Sequence, residues 1–194
     1  MTLGGNDTGW GEAIASCVQQ NVWDASSDCL PGTRRAAEIE ASIDGLGPRL
    51  VTAFRQVKAA APHARVVAMS YPRFFPEKAD EWLTWSGLPA FSPQSQWWAN
   101  EMTDRLNHEM AAAAARAGVE FVDASRAFAG HELTSDEPWF HGVDIDRVTY
   151  HIGPIPFSGP GPGAASFHPT AQGQKALADL VEKQIRFPAT PAPG

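Results

Sequence analysis

Apolar residues recur every third or fourth position in three stretches of this chain, and each repeat predicts an amphipathic helix. Ile39, Ile43, Leu46, Leu50, Phe54 and Val57 make the first, with Thr33 as its N-terminal cap and Pro62 as its stop. Gly47-Pro48 interrupts this repeat, and proline has no amide hydrogen to donate, so a kink or a break falls there. Trp98, Met102, Leu106, Met110 and Ala114 make the second, within residues 94–117, and Gly118 ends it. Leu177, Leu180, Val181 and Ile185 make the third, capped by Thr170.

Short apolar runs lie between the helices. Residues 64–71 (ARVVAMSY) and 119–123 (VEFVD) read as buried parallel strands, and residues 1–3 as the stub of another. Residues 73–98, aromatic and broken by Pro76, Pro89 and Pro93, read as an insertion or flap over the sheet end. Residues 124–165 read as mostly irregular, with a Gly/Pro-rich loop at 153–163. Strands alternating with helices define an α/β class with a parallel sheet, in which ligands bind beyond the carboxyl ends of the strands. The organisation is one domain, residues 1–187, followed by a Pro-rich tail, 188–194.

Composition narrows the classes. At 194 residues, 43% hydrophobic and 19% charged, the chain can bury a core of its own. A net charge of −7 without a Lys/Arg cluster argues against a nucleic-acid partner. No apolar run reaches the length of a transmembrane span, and no basic-then-apolar signal peptide is visible. Cys17 and Cys29 stand in polar, loop-like surroundings; one pair cannot prove a disulfide, but pairing is favoured over two free thiols. Such a bridge would contribute about 3 kcal/mol and would imply an oxidising compartment.

The chemistry concentrates at the two ends. Asn6 sits in the turn Gly4-Gly5-Asn6-Asp7 after the first strand stub, and His168 sits in a loop, Ala164 to Thr170, that leads into the last helix. Taken singly, Asn6 is an ordinary turn residue and His168 a solvent-facing residue at a helix start. His141, Asp144, Asp146 and His151 match no compact ligand spacing, so neither a metal nor another cofactor is expected. Ser70 and Ser158 are the serines weighed as nucleophiles, and neither stands on a strand-to-helix elbow. Phe74, Phe75, Trp82, Trp85, Phe91, Trp97 and Trp98 either bind an acyl chain or form a satellite core, with neither reading ahead.

Together the two ends resemble a known family. Gly4-Gly5-Asn6-Asp7 is similar to the third sequence block of the SGNH, or GDSL, hydrolases, and Ser166-Phe167-His168-Pro169 to their fifth. The cysteine pair, Ala61-Pro62, Val66-Val67, Tyr71-Pro72, Gly130-His131-Glu132-Leu133 and Pro138-Trp139 resemble the actinobacterial secreted esterases and lipases of that family. The resemblance implies a flavodoxin-like three-layer α/β/α domain that cleaves a small-molecule or lipid ester through an acyl-enzyme. It implies His168 as general base and Asn6 as oxyanion donor, with His131 as a residue lining the substrate site. Where many members carry Asp three residues before the histidine this chain has Ala165, and the backbone carbonyl of Ser166 is expected to orient His168 instead.

The resemblance also implies a gap. No Gly-Asp-Ser motif stands in the sequence. The chain is therefore expected to be a carboxy-terminal portion lacking the nucleophile, the second-block glycine and the first two strands. It is expected to be inactive alone, with an extracellular parent type and a missing amino-terminal half as possible partner. The alternative is a non-catalytic lipid- or glycan-binding module built on the same fold.

Overall fold

The computed structural model describes residues 1–9, 31–78, 81, 83–85, 88–142, 145–152, 155–162 and 165–185. Cys17, Cys29, Trp82, Asp144 and the tail 188–194 lie outside the described residues.

The first predicted helix is two helices. α1 spans Arg34–Asp44, and Thr33 caps it by accepting the Ala36 N–H at 3.1 Å. α2 spans Gly47–Ala60, and Pro48 sits in its first turn, where its missing N–H has no intrahelical partner to lose. The break therefore falls at Gly45-Leu46, just ahead of the proline. β1 is Val67–Met69 and β4 is Glu120–Val122, paired parallel with Ala68 opposite Phe121. Between them, β2 (Leu83–Trp85) and β3 (Leu88–Phe91) form an antiparallel hairpin, and α3 runs over Pro93–Ala117. α3 ends as predicted at Gly118, φ 64°, where Gly118 N–H reaches Ala115 O (3.1 Å) and Val119 N–H reaches Ala114 O (2.9 Å). Lys58 Nζ adds a charge there, donating to the Gly118 carbonyl at 2.8 Å.

The stub at residues 1–3 joins the sheet through Met1. Its terminal amine donates to Val67 O (2.7 Å) and its carbonyl accepts from Met69 N–H (2.9 Å), the pattern of a parallel bridge opposite Ala68. α1 and α2 both pack on α3, with Ile39, Ile43, Leu46, Leu50, Phe54, Leu106 and Met110 buried in one core. The small side chains of Ala113, Ala114 and Ala117 complete that buried face of α3. α4, Ala171–Gln184, is capped by Thr170, which accepts the Gly173 N–H at 3.2 Å, and it packs near β4. The result is a three-layer α/β/α fold.

Two expectations change. Residues 124–142 are irregular as expected, but beyond them β5 (Ile145–Ile152) and β6 (Ile155–Pro162) pair antiparallel along their whole length. Most of the predicted Gly/Pro-rich loop at 153–163 is thus a strand. Pro156, Pro160 and Pro162 share one parity, so all three lack an N–H on the same edge. Among the described residues no third strand joins this ribbon, and proline is tolerated on an open edge. The aromatic stretch 73–98 is also less of a flap than its composition implied. Phe75, Phe91 and Trp98 belong to the main core, Phe74 packs against it, and only Trp97 among the described aromatics of that set stands out, 59% exposed. The buried Gln96 holds the hairpin by donating to Glu81 O (2.8 Å) and Phe91 O (3.2 Å).

Candidate active site

Asn6 stands in a 3-10 turn, Gly5–Thr8, just past the end of the Met1 bridge. The turn depends on its glycines. Gly4 has φ 105°, and a Cβ there would lie 2.8 Å from Leu46 Cδ2. Gly5 lies so close to Tyr71 that its N–H donates to the phenolic oxygen at 3.1 Å. Thr8 Oγ closes the turn on Gly5 O at 2.7 Å, and Asp7 pairs with Arg49. The Asn6 side chain is exposed, and among the described residues its amide makes no hydrogen bond. Burial pushes the Tyr71 hydroxyl above its ordinary pKa, the charge of Asp7 adds to this, and the Gly5 N–H opposes it. Tyr71 therefore stays a neutral acceptor for the turn at physiological pH.

Tyr71 is itself gripped from α3. Asn107 Oδ1 accepts Tyr71 N–H and Asn107 Nδ2 donates to Tyr71 O, both at 2.8 Å. Two helical turns earlier, Asn100 treats Phe75 the same way, accepting its N–H at 3.2 Å and donating to its carbonyl at 2.7 Å. Between them Asp104 takes Arg73 in a two-pronged ion pair, 2.9 and 2.6 Å. Residues 100, 104 and 107 share one helix face. The sequence reading missed this stripe, because polar residues at helical spacing look the same as a solvated face.

Below this loop, Ser70 is spoken for. Its hydroxyl is 1% exposed, donates to Asp123 Oδ1 (3.1 Å) and accepts the Ala124 N–H (2.7 Å). Burial pushes the Asp123 carboxyl up, but hydrogen bonds from Ser125 and Ser70 and the charge of Arg73 outweigh it and leave it below its usual range. Ser158, the other serine weighed, is exposed in β6.

His168 hangs over the same end of the sheet. Its loop is pinned to residues 139–141 by Thr170 N–H to Trp139 O (2.8 Å), His141 N–H to His168 O (2.8 Å) and Phe167 N–H to His141 O (3.0 Å). The Phe167 ring packs edge-on against Phe74, three residues beyond Tyr71. The Asn6 turn and the His168 loop thus rest on one short segment at the carboxyl end of β1. His168 Nδ1 lies 3.1 Å from Ser166 O, and the imidazole is exposed, with no partner for Nε2 among the described residues. Since a carbonyl only accepts, this contact makes Nδ1 the protonated nitrogen and leaves the Nε2 lone pair facing outward.

His131 meets residues 137 and 139. Its ring stacks on Trp139 (3.9 Å between centroids, 4° between planes), and its Nδ1 meets Glu137 O at 2.8 Å. It lines an open depression with Gly130, Thr134, Ser135, Asp136 and Glu137, and neither Asn6 nor His168 belongs to that lining. Among the described residues no cluster of His, Cys, Asp and Glu could hold a metal ion. No described helix is long and apolar enough to cross a membrane.

The Asn6 turn and the His168 loop thus meet the same segment of a parallel α/β/α sheet, and the comparisons with known proteins define the class. The chain belongs to the GDSL-like lipase/acylhydrolase family, whose model matches residues 1–176. It is 34% identical over 175 residues to Lipase 1 of Streptomyces coelicolor, covering 90% of this chain and 54% of that protein. It is 33% identical over 175 residues to a lipase of Streptomyces rimosus, again covering 90% of this chain and 54% of that protein. The crystal structure of the extracellular lipase from Streptomyces rimosus superposes with a TM-score of 0.71 at 30% identity, covering 95% of this chain and 67% of that one. Phospholipase A1 from Streptomyces albidoflavus gives 0.70 at 29% identity, with the same coverage of 95% and 67%. The chain spans about half the length of the curated relatives it matches.

Proposed function

We propose that this chain carries the proton-transfer and oxyanion half of a serine ester hydrolase acting on lipid or small-molecule esters. His168 Nε2 takes the proton of a serine hydroxyl as its oxygen attacks the ester carbonyl, then returns it to the departing alcohol. The Ser166 carbonyl holds the Nδ1–H throughout; being neutral, it stabilises the imidazolium less than a carboxylate does. The Asn6 amide donates to the carbonyl oxygen as it becomes negative, a contribution of about 3 kcal/mol for one such donor.

The observation that carries the reading is the 3.1 Å contact between His168 Nδ1 and Ser166 O, which leaves the lone pair on the other nitrogen of an exposed ring. The family supports ester hydrolysis, and the lipase and phospholipase A1 relatives favour a lipid ester. An extracellular relative favours a secreted parent type. No Gly-Asp-Ser motif stands in the sequence, and Ser70 is buried and fully engaged, so the nucleophile is supplied from outside these residues. On this reading the isolated chain is inert.

The test is p-nitrophenyl ester turnover together with labelling by a fluorophosphonate. The chain alone gives background turnover and no adduct. Co-expression with the Gly-Asp-Ser-bearing half of a family member restores both, with the label on the added half. An adduct on any serine of this chain sinks the assignment. The second reading, a lipid- or glycan-binding module, has the exposed Trp97 in its favour, and it requires vesicle or oligosaccharide binding that Trp97→Ala abolishes.

A further inference from the structure

Phe167 is the one described residue other than glycine with a left-handed backbone, at φ 63°. A phenylalanine is strained there, since its Cβ crowds the following carbonyl. The local turn bond from His168 N–H to Ala165 O, 3.1 Å, offsets part of that cost, and contacts from distant segments also hold Phe167. Its ring sits edge-on to Phe74 (6.5 Å, 85°) and to Phe91 (6.2 Å, 82°), and Phe74 in turn stacks on Phe140 at 5.0 Å. Its N–H is fixed by His141 O at 3.0 Å. Strain kept in place by surrounding packing points to a function for the conformation.

The torsion concerned lies on the path that matters. Between the Ser166 carbonyl and the His168 ring, φ of Phe167 is the first freely rotating bond. Turning it to a right-handed or extended value swings that carbonyl to the other side of the chain and ends the Nδ1 contact. We propose that Phe167 is the positioning residue of His168: its ring, wedged between Phe74 and Phe91, enforces the left-handed turn that puts Ser166 O against Nδ1 and so selects the Nδ1–H tautomer. The inference rests on the reading of His168 as general base, but it is tested without catalysis.

The experiment is long-range proton–nitrogen NMR on the ¹⁵N-histidine-labelled chain at neutral pH, with the His168 signals assigned by loss in His168→Gln. Wild type is expected in the Nδ1–H form. Phe167→Leu keeps apolar volume but loses the ring edges, and His168 is expected to revert mainly to the Nε2–H form that free imidazole side chains prefer. Phe167→Tyr keeps the ring and is expected to retain Nδ1–H. Should Phe167→Leu lose its near-ultraviolet circular dichroism, Phe91→Leu removes the wedge from the other side and is read the same way. A wild-type Nε2–H tautomer overturns the proposal, as does a folded Leu variant whose tautomer is unchanged while its melting temperature drops. Failure of hydrolysis with the serine half supplied, alongside the expected tautomer change, refutes the ester-hydrolase reading and leaves the positioning role standing.

Discussion

Replacing Asn107 with leucine tests whether the α3 stripe sets the site. Asn107 is 8% exposed, and its amide satisfies both backbone groups of Tyr71 at 2.8 Å. Leucine has the same branched shape and satisfies neither. An unpaired buried peptide group costs about 1–3 kcal/mol; the bonds to Tyr71 are only partly buried, so the low end applies, about 1–1.5 kcal/mol each. The extra apolar burial of leucine returns roughly 1 kcal/mol, within the usual range for a buried side chain. The net loss is about 1–2 kcal/mol, or about 2–8 °C in melting temperature for a domain of this size. Urea and thermal unfolding followed by circular dichroism measure it. Because Tyr71 also holds the Gly5 N–H, amide exchange at Gly5 should speed up by more than at Ala113, deep in α3. A melting temperature within 1 °C of wild type, with Gly5 exchange unchanged, would show that the two hydrogen bonds do not constrain the loop.

Other expectations follow from the same contacts. Gly173→Ala puts a Cβ onto the Trp139 carbonyl and 2.9 Å from the Phe128 ring, so α4 must shift; a loss of about 1–3 kcal/mol is expected in urea melts, with the His168 loop displaced in a crystal structure. Tyr71→Phe removes the acceptor for Gly5 N–H and should cost about 1 kcal/mol, and in the serine-complemented enzyme kcat should fall more than KM rises. Asp123 has its carboxyl held below the ordinary 3.8, so its stabilising contribution is present above that value and fades as the pH falls through the lowered one. Melting temperatures from pH 5 down to about 2.5 should therefore drop more steeply for wild type than for Asp123→Asn; parallel curves would remove Asp123 from the acid transition.

Much of this protein was legible along the chain because the signals are local. Thr33 and Thr170 cap helices by bonding N–H groups three residues ahead, Gly118 takes the left-handed stop, and Pro48 divides α1 from α2. Asn6 and His168 were singled out differently: each block alone is ordinary, and only the two in order resemble one family's pattern. The Ser166 carbonyl was also within reach, since it lies two residues from the ring it meets.

Only the tertiary structure decided the rest. Asn100, Asp104 and Asn107 look like a wet helix face until the loop after β1 is laid against them. The prolines of β6 argue against a strand until the pairing with β5 puts all three at one parity, so that a single edge lacks their hydrogens. Phe74, Phe75, Phe91 and Trp98 have the composition of an acyl-binding surface, and burial makes them core instead. The backbone of Phe167 is the clearest case. The turn bond from His168 N–H to Ala165 O is local, but the rings that pack on Phe167 arrive from residues 74 and 91. Local propensity can name the groups that do chemistry, whereas their aim depends on contacts between segments far apart in sequence, which exist only once the chain has folded.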